Sequence, residues 1–136
     1  MITENLKNAH GAIEKSMTAA FLGIDITTFK GIYINCAHPA GLWQDQLTAQ
    51  PIDSDESQFL GDEDFKTTAI PIDLSNMKSI LLYTDGLVEN KDNPISERRL
   101  CKWMETSKDF HQELSSTFNG IEIQDDVSYL LLEKLV

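Results

Sequence analysis

Four consecutive apolar residues, Ile80 to Tyr83, stand between a polar turn and an Asp85-Gly86 pair in the stretch "SILLYTDGLVEN". An alternating strand can turn one face to water, but an unbroken apolar run cannot, so this one predicts a central strand covered on both faces. A strand of that kind needs a partner on each edge and a packed layer above and below it. The run ends in Asp85-Gly86 with Glu89 four positions on. Taken alone, "DG" after an apolar run is a turn signal, because Gly tolerates positive φ and Asp bonds to its own backbone.

The remaining patterns supply those partners. Ile2, Leu6, Ala9, Ile13 and Met17 recur at helical spacing and predict an opening helix. "TAAFLGIDI", a short turn holding Gly31 and "IYINCAH" read as a β-hairpin, and "LWQDQLT" as a possible third strand. "AQPIDSDESQFLGDEDF", with six carboxylates, reads as a solvated loop. "FKTTAIPIDL" and "SILLYT" are two further strands around a turn. Asn93 and Pro94 predict the start of a helical region, where Leu100, Trp103, Met104, Phe110, Leu114 and Phe118 form a core stripe over one long helix or over two broken near Lys108. Gly120 ends that region, and "DDVSYLLLEKLV" is a final apolar strand. The fold class is therefore α+β, with antiparallel strands and helices packed on a sheet face, in a single domain over residues 1–136.

Acidic residues outnumber basic ones 22 to 11, for a net charge of −11. Such a field repels phosphate backbones and anionic lipid, which excludes nucleic acid and membrane surfaces as partners and admits divalent cations or basic segments. Cys36 and Cys101 have neither CxxC spacing nor a disulfide framework, and no leader or membrane-length apolar run is visible. The expectation is a soluble cytoplasmic protein with structural cysteines. His10 and His111 read as surface residues, and His38 as a structural hydrogen-bonding residue.

Asp85 acquires a second meaning from Asp125-Asp126, a carboxylate pair introducing the last strand. Strand ends in one sheet can converge within metal-ligand reach. Side chains alternate along a strand, so one of Asp125 and Asp126 is expected to join Asp85 and the other to face water. Carboxylates forced together repel unless a hard cation such as Mg²⁺ or Mn²⁺ lies between them.

The runs "LLYTDGLVE", "DDVSYLLLE" and "INCAHPAGLW" together resemble the C-terminal part of the bacterial PPM phosphatases of the sporulation stage II E and stress-response regulator type, metal-dependent serine/threonine phosphatases related to type 2C enzymes. The family reads "LYTDGLxE", "DDxT(L/V)" and "NAGHP", and the resemblance spans about residues 17 to 134. It implies an antiparallel β-sandwich flanked by helices with a centre of two Mn²⁺ or Mg²⁺ ions. On that picture Asp85 and Asp125 match metal ligands, Asp126 is a further candidate, Gly86 supplies site backbone, and Glu89 stands near the metals through water. It also implies that a metal-bridging water attacks a phosphoserine or phosphothreonine without a covalent intermediate. The substrate implied is a phosphorylated regulatory protein such as an anti-anti-sigma factor.

Two departures from the family pattern matter. "NCAHP" replaces "NAGHP", placing Cys36-Ala37 where relatives have Ala-Gly. The family's first metal motif, of the "D(V/M)SGxG" kind, has no match in Met1 to Met17. The resemblance therefore implies that this chain by itself holds one cation or none and lacks full activity. It is expected to begin midway through the domain, incomplete at its N-terminus, and a homo-oligomer could complete its sheet. The alternatives are a non-catalytic interaction module built on the same fold, and a weak single-cation binder.

Overall fold

The computed structural model describes residues 17–53, 58–61, 66, 68–89, 95–120 and 125–135. These contain strands β1 (Ala19–Ile24), β2 (Lys30–Cys36), β3 (Leu42–Gln44), β4 (Ala49–Pro51), β5 (Ile70–Asp73), β6 (Ser79–Tyr83) and β7 (Tyr129–Glu133), with helices α1 (Glu97–Thr106) and α2 (Phe110–Phe118). The chain groups into two compact units, Met1–Ala40 with Asp53–Ser75 and Gly41–Ile52 with Asn76–Val136. The opening helix expected from Ile2 to Met17 lies outside the described residues except for Met17, which bridges Leu60. Most of the acidic loop and the Asn93-Pro94 helix start lie outside them as well.

The first unit holds an antiparallel sheet in the order β1-β2-β5. Its hairpin pairs Ala19 with Cys36 and Ile24 with Gly31, so Gly31, expected in the turn, lies in β2 and the turn falls at residues 25–29. Asp25 sets the turn: its carboxylate accepts the Thr27 and Thr28 amides at 2.8 and 3.3 Å. Those two bonds hold its pKa below the ordinary carboxylate value.

At the far end of β2 the chain turns through Asn35 to His38. The buried Asn35 amide donates to the Tyr33 hydroxyl at 3.1 Å and to the His38 carbonyl at 3.0 Å, and its oxygen accepts the His38 amide at 2.8 Å. The His38 ring meets the Thr18 hydroxyl at 3.2 Å, which is the structural role the sequence assigns it. Ala37 adopts a left-handed φ of 50°. That conformation explains the glycine in relatives, because an L-residue there brings its Cβ against the following carbonyl.

The second unit carries the sheet β4-β3-β6-β7, in which β6 is central, as the apolar run requires. Ile80 and Leu81 have no exposed surface, and Tyr83 has 3%. β5 and β6, neighbours in sequence, belong to different sheets. The residues Ala49–Pro51, expected in a solvated loop, instead form β4. Pairing overrides the weak local pattern here: Asp45 caps a tight turn by accepting the Leu47 and Thr48 amides at 2.7 and 2.8 Å, and β4 folds back on β3.

The helical region is two helices. Ser96 is the N-cap of α1 and accepts the Arg99 amide at 3.1 Å; Asp109 caps α2 and accepts the Gln112 amide at 3.1 Å. Ser96 is thus the capping residue of α1, and the Asn93-Pro94 pair lies outside the described residues. Gly120, at φ +76°, lies just past α2. Leu100, Met104, Phe110 and Leu114 point from the helices into one cluster with Leu42, Leu81, Tyr83, Leu87 and Ile95. No helix among the described residues is long and apolar enough to cross a membrane.

Ala37→Gly relieves left-handed strain of about 1–2 kcal/mol and adds unfolded-state entropy worth about 0.4–1 kcal/mol. The expected outcome is a gain of up to about 1 kcal/mol, seen as a higher urea midpoint at unchanged slope. Loss of stability in this variant would show that residue 37 does not occupy the left-handed region.

Candidate metal centre

β6 and β7 pair antiparallel from Ser79↔Glu133 to Tyr83↔Tyr129, so the segment leaving β6 and the segment entering β7 emerge at the same end of the ladder. Asp85 lies two residues beyond the last pair, and Asp125 lies four residues before it. Both acidic segments are therefore delivered to one place by strand pairing.

The connection between them is backbone to backbone. Thr84 extends the ladder: its amide donates to the Ser128 carbonyl at 2.9 Å, and its hydroxyl accepts the Ser128 amide at 3.0 Å. The same hydroxyl also approaches the carbonyls of Ser128 at 3.2 Å and Asp126 at 3.4 Å. Asp85–Leu87 then forms a single 3₁₀ turn, and the Asp85 carbonyl accepts the amides of Val88 and Glu89, each at 2.9 Å. A Cβ built on Gly86 would run into the Asp126 carbonyl oxygen and would lie 2.9 Å from the Asp126 carbonyl carbon and 3.3 Å from the Asp125 oxygen. Glycine is required at 86 by this close approach, and its φ is not among the positive ones.

Apolar side chains fix both segments from beneath. Leu87 is fully buried in the core cluster, and Val88 and Val127 pack against it. Asp85, Glu89, Asp125 and Asp126 remain exposed above. The expected alternation of Asp125 and Asp126 does not apply, because both precede β7, whose extended pairing begins at Tyr129. Asp126 donates its amide to the Asp125 carboxylate at 2.9 Å, which fixes one Asp125 oxygen close to its own backbone.

Carboxylate oxygens are the donors that Mg²⁺ and Mn²⁺ prefer, and two acidic segments in backbone contact supply such donors from two directions. Among the described residues, however, no group of three or more His, Cys, Asp or Glu side chains is close enough to hold a metal ion. Among the described residues the acidic side chains do not form the closed cage of a two-metal centre.

Thr84 and the His111–Tyr129 pair escape sequence reasoning. Tyr129 opens β7, its hydroxyl lies 2.6 Å from His111 Nδ1, and its ring meets Phe110 edge-on at 6.2 Å. His111 is exposed but tied to the sheet, and its partner lies 18 residues away, beyond any local pattern. The Thr84 hydroxyl sits inside the "YTDG" run, yet its role depends on a partner 44 residues on.

Thiolate chemistry is disfavoured. Burial, with Glu97 and Glu105 adding to it, pushes the Cys101 thiol up to about 11. In a Cys36→Ala background, alkylation of Cys101 by iodoacetamide at pH 8 should run on the order of a hundredfold slower than for an ordinary exposed thiol and should speed up toward pH 11. A rate equal to that of a small thiol would contradict the burial of Cys101. Gly86→Ala should cost about 2–3 kcal/mol in urea unfolding, because the added methyl must displace the Asp126 backbone. A neutral result would mean that the two acidic segments are not in contact.

The chain matches the family model of stage II sporulation protein E over residues 1–134. It is 34% identical over 73 residues to the phosphoserine phosphatase RsbP of Bacillus subtilis (strain 168), a match covering 53% of this chain and 18% of RsbP. Its fold resembles the RsbU and RsbW domains of Rv1364c from Mycobacterium tuberculosis, with a TM-score of 0.74 and 21% identity over 98% of this chain and 42% of that one. It also resembles the manganese-presoaked phosphatase domain of the cell fate determinant SpoIIE from Bacillus subtilis, with a TM-score of 0.65 and 12% identity over 85% of this chain and 56% of that one. The chain thus spans less than two thirds of each of these relatives. Two antiparallel sheets with helices, and a family match running nearly end to end, place this chain in the stage II sporulation protein E family, with the fold of its phosphatase domains.

Proposed function

We propose that this chain is part of a metal-dependent protein serine/threonine phosphatase domain, acting on a phosphoserine or phosphothreonine of a regulatory protein. The observation that carries this reading is the close approach of Gly86 to the Asp125–Asp126 backbone, which joins the two acidic motifs at one end of the β6–β7 ladder. RsbP, a named phosphoserine phosphatase, supports the substrate class. The joining of RsbU and RsbW domains in one solved chain supports a regulatory-protein partner, such as a phosphorylated anti-anti-sigma factor.

Asp85 and Asp125 are the proposed carboxylate ligands, with Asp126 as a further oxygen donor. A divalent cation, Mn²⁺ or Mg²⁺, supplies Lewis acidity toward phosphoryl oxygens and a water of lowered pKa when bound. The chain's own residues set the geometry. Gly86 allows the two backbones to meet, and Thr84 holds the strand ends in register. Glu89, whose amide donates to the Asp85 carbonyl, is the proposed holder of a water beside the metal. The negative charge of the chain also argues for a cation, since a phosphoryl dianion would otherwise meet a repulsive field.

A second reading is favoured by one observation: no group of three potential ligands forms among the described residues. On that reading the chain is an interaction module that keeps the fold without the chemistry, or it binds one cation only.

Release of phosphate from a phosphoserine peptide with and without Mn²⁺ decides between them. Mn²⁺-dependent release by the chain, reduced at least about a hundredfold in Asp85→Asn and in Asp125→Asn, is the expected result for the phosphatase. Metal binding by calorimetry without phosphate release would leave only the single-cation reading. Neither binding nor release would leave the interaction module.

A further inference from the structure

β7 has the composition of a central strand and the position of an edge strand. Tyr129 to Leu132 is an unbroken apolar run like that of β6, yet β7 stands last in the order β4-β3-β6-β7, and Leu130 is 54% exposed. A run that is apolar on both faces belongs between two strands. The parity of the ladder shows what lies on the open side. The Thr84 amide bonds the Ser128 carbonyl and the Lys134 amide bonds the Lys78 carbonyl, each at 2.9 Å, so Ser128, Leu130, Leu132 and Lys134 turn their backbone bonds toward β6. Tyr129, Leu131 and Glu133 turn theirs away from it, and among the described residues their amides and carbonyls have no partner.

Two other outer strands are closed to strand addition by the devices that edges usually carry. In β4 the same parity turns Ala49 and Pro51 outward, since the Ile52 amide bonds the Gly41 carbonyl at 2.8 Å and the Asp45 amide bonds the Thr48 carbonyl at 3.1 Å. Pro51 has no N–H to offer, and the Ala49 amide is taken by the Glu105 carboxylate at 2.9 Å. In β5 the Leu74 amide bonds the Phe29 carbonyl at 2.7 Å, which turns Pro71 outward. β1 carries Gly23 where a packing side chain is missing. β7 has neither proline nor glycine, and no side chain bonds its outward amides among the described residues.

We propose that β7 pairs antiparallel with β7 of a second copy of this chain, about a twofold axis at Leu131, so that two sheets join into one. Leu131 then faces Leu131, Leu130 faces Leu132, and Tyr129 faces Glu133, with the outward groups of Tyr129, Leu131 and Glu133 bonded across the axis. The one charged side chain of β7, Glu133, meets a tyrosine in this register, whereas parallel pairing would set it beside its own copy. A shift by two residues would lose one of the three bonded pairs. The antiparallel arrangement also places the end holding Lys78 and Lys134, instead of a second acidic segment, beside Asp125 and Asp126 of the other copy. That matters in a molecule of net charge −11. A five-residue strand buries less than a standard interface, so the dimer is weak, with a Kd of roughly 10–100 µM. The inference rests on β7 and is independent of the phosphatase reading.

Sedimentation of the whole chain from about 1 to about 300 µM, at about 0.15 M salt to screen long-range repulsion, should show a monomer–dimer equilibrium. Amide hydrogen exchange locates the interface. At the high end of that range the amides of Tyr129, Leu131 and Glu133 should exchange at least about tenfold more slowly than at the low end, while those of Leu130 and Leu132, already bonded to β6, should change far less. Glu133→Pro removes an outward amide without touching a bond to β6, and Leu130→Lys sets a charge against Leu132 of the other copy. Each should weaken association at least about tenfold in a chain whose amide spectrum stays folded. Leu47→Ser, at an 85% exposed side chain in the β3–β4 turn, should leave association unchanged. A chain that stays monomeric throughout, a dimer whose outward β7 amides exchange as in the monomer, association indifferent to Leu130→Lys, or an equal loss in Leu47→Ser would each overturn the proposal.

Discussion

Gly86 and the Asp126 carbonyl lie so close that a single methyl group at residue 86 would occupy the carbonyl's place. That approach is possible only because Thr84 continues the β6–β7 pairing past Tyr83, bonding Ser128 through both its amide and its hydroxyl. The turn carrying Asp85 is then pressed against the segment carrying Asp125 and Asp126, while Leu87 and Val127 anchor the two from below in one core cluster. The geometry of the acidic end thus follows from backbone bonding and apolar burial. Attraction between the acids has no part in it, since like charges oppose their convergence.

This division of labour explains why the acids can remain exposed. A buried carboxylate pair would need a charge partner inside the protein, whereas exposed carboxylates on a rigid backbone keep their solvation until a cation replaces it. The rigidity comes from residues that do no chemistry. Leu81 and Tyr83 fix the strand, Met104, Phe110 and Leu114 cover it, and the Phe110–Tyr129 edge contact ties α2 to the start of β7.

Much of this was legible in the chain. The uninterrupted apolar run gave β6 its central place and the helical stripe supplied the cluster, while the choice between one long helix and two broken near Lys108 needed the structure, which shows two. Asp85, Gly86, Asp125 and Asp126 stand out as local motifs. Besides Thr84 and the His111–Tyr129 pair, other features were not legible, mostly because their causes are non-local. β4 depends on a three-residue pairing with β3 that no periodicity announces. The start of α1 follows Ser96, a modest capping signal beside the stronger Asn-Pro pair upstream of it. The reason for Gly86 is the proximity of a residue 40 positions away, whereas in sequence the same glycine reads as an ordinary turn.

The β6–β7 ladder also separates charge along its length. Asp85, Asp125 and Asp126 stand beyond one end, and Lys78 and Lys134 flank the other, where the Lys134 amide bonds the Lys78 carbonyl at 2.9 Å. Antiparallel pairing forces this arrangement, because residues just outside the ladder on one strand face those just outside it on the next. Each end therefore gathers its charge from two distant parts of the sequence. The acidic end repels a phosphoryl group unless a cation offsets its charge, whereas at the other end Lys78 and Lys134 stand beside Glu133 and the charge is mixed. One pair of strands thus gathers carboxylates alone at one end and mixed charge at the other, an asymmetry that follows from antiparallel pairing and not from composition.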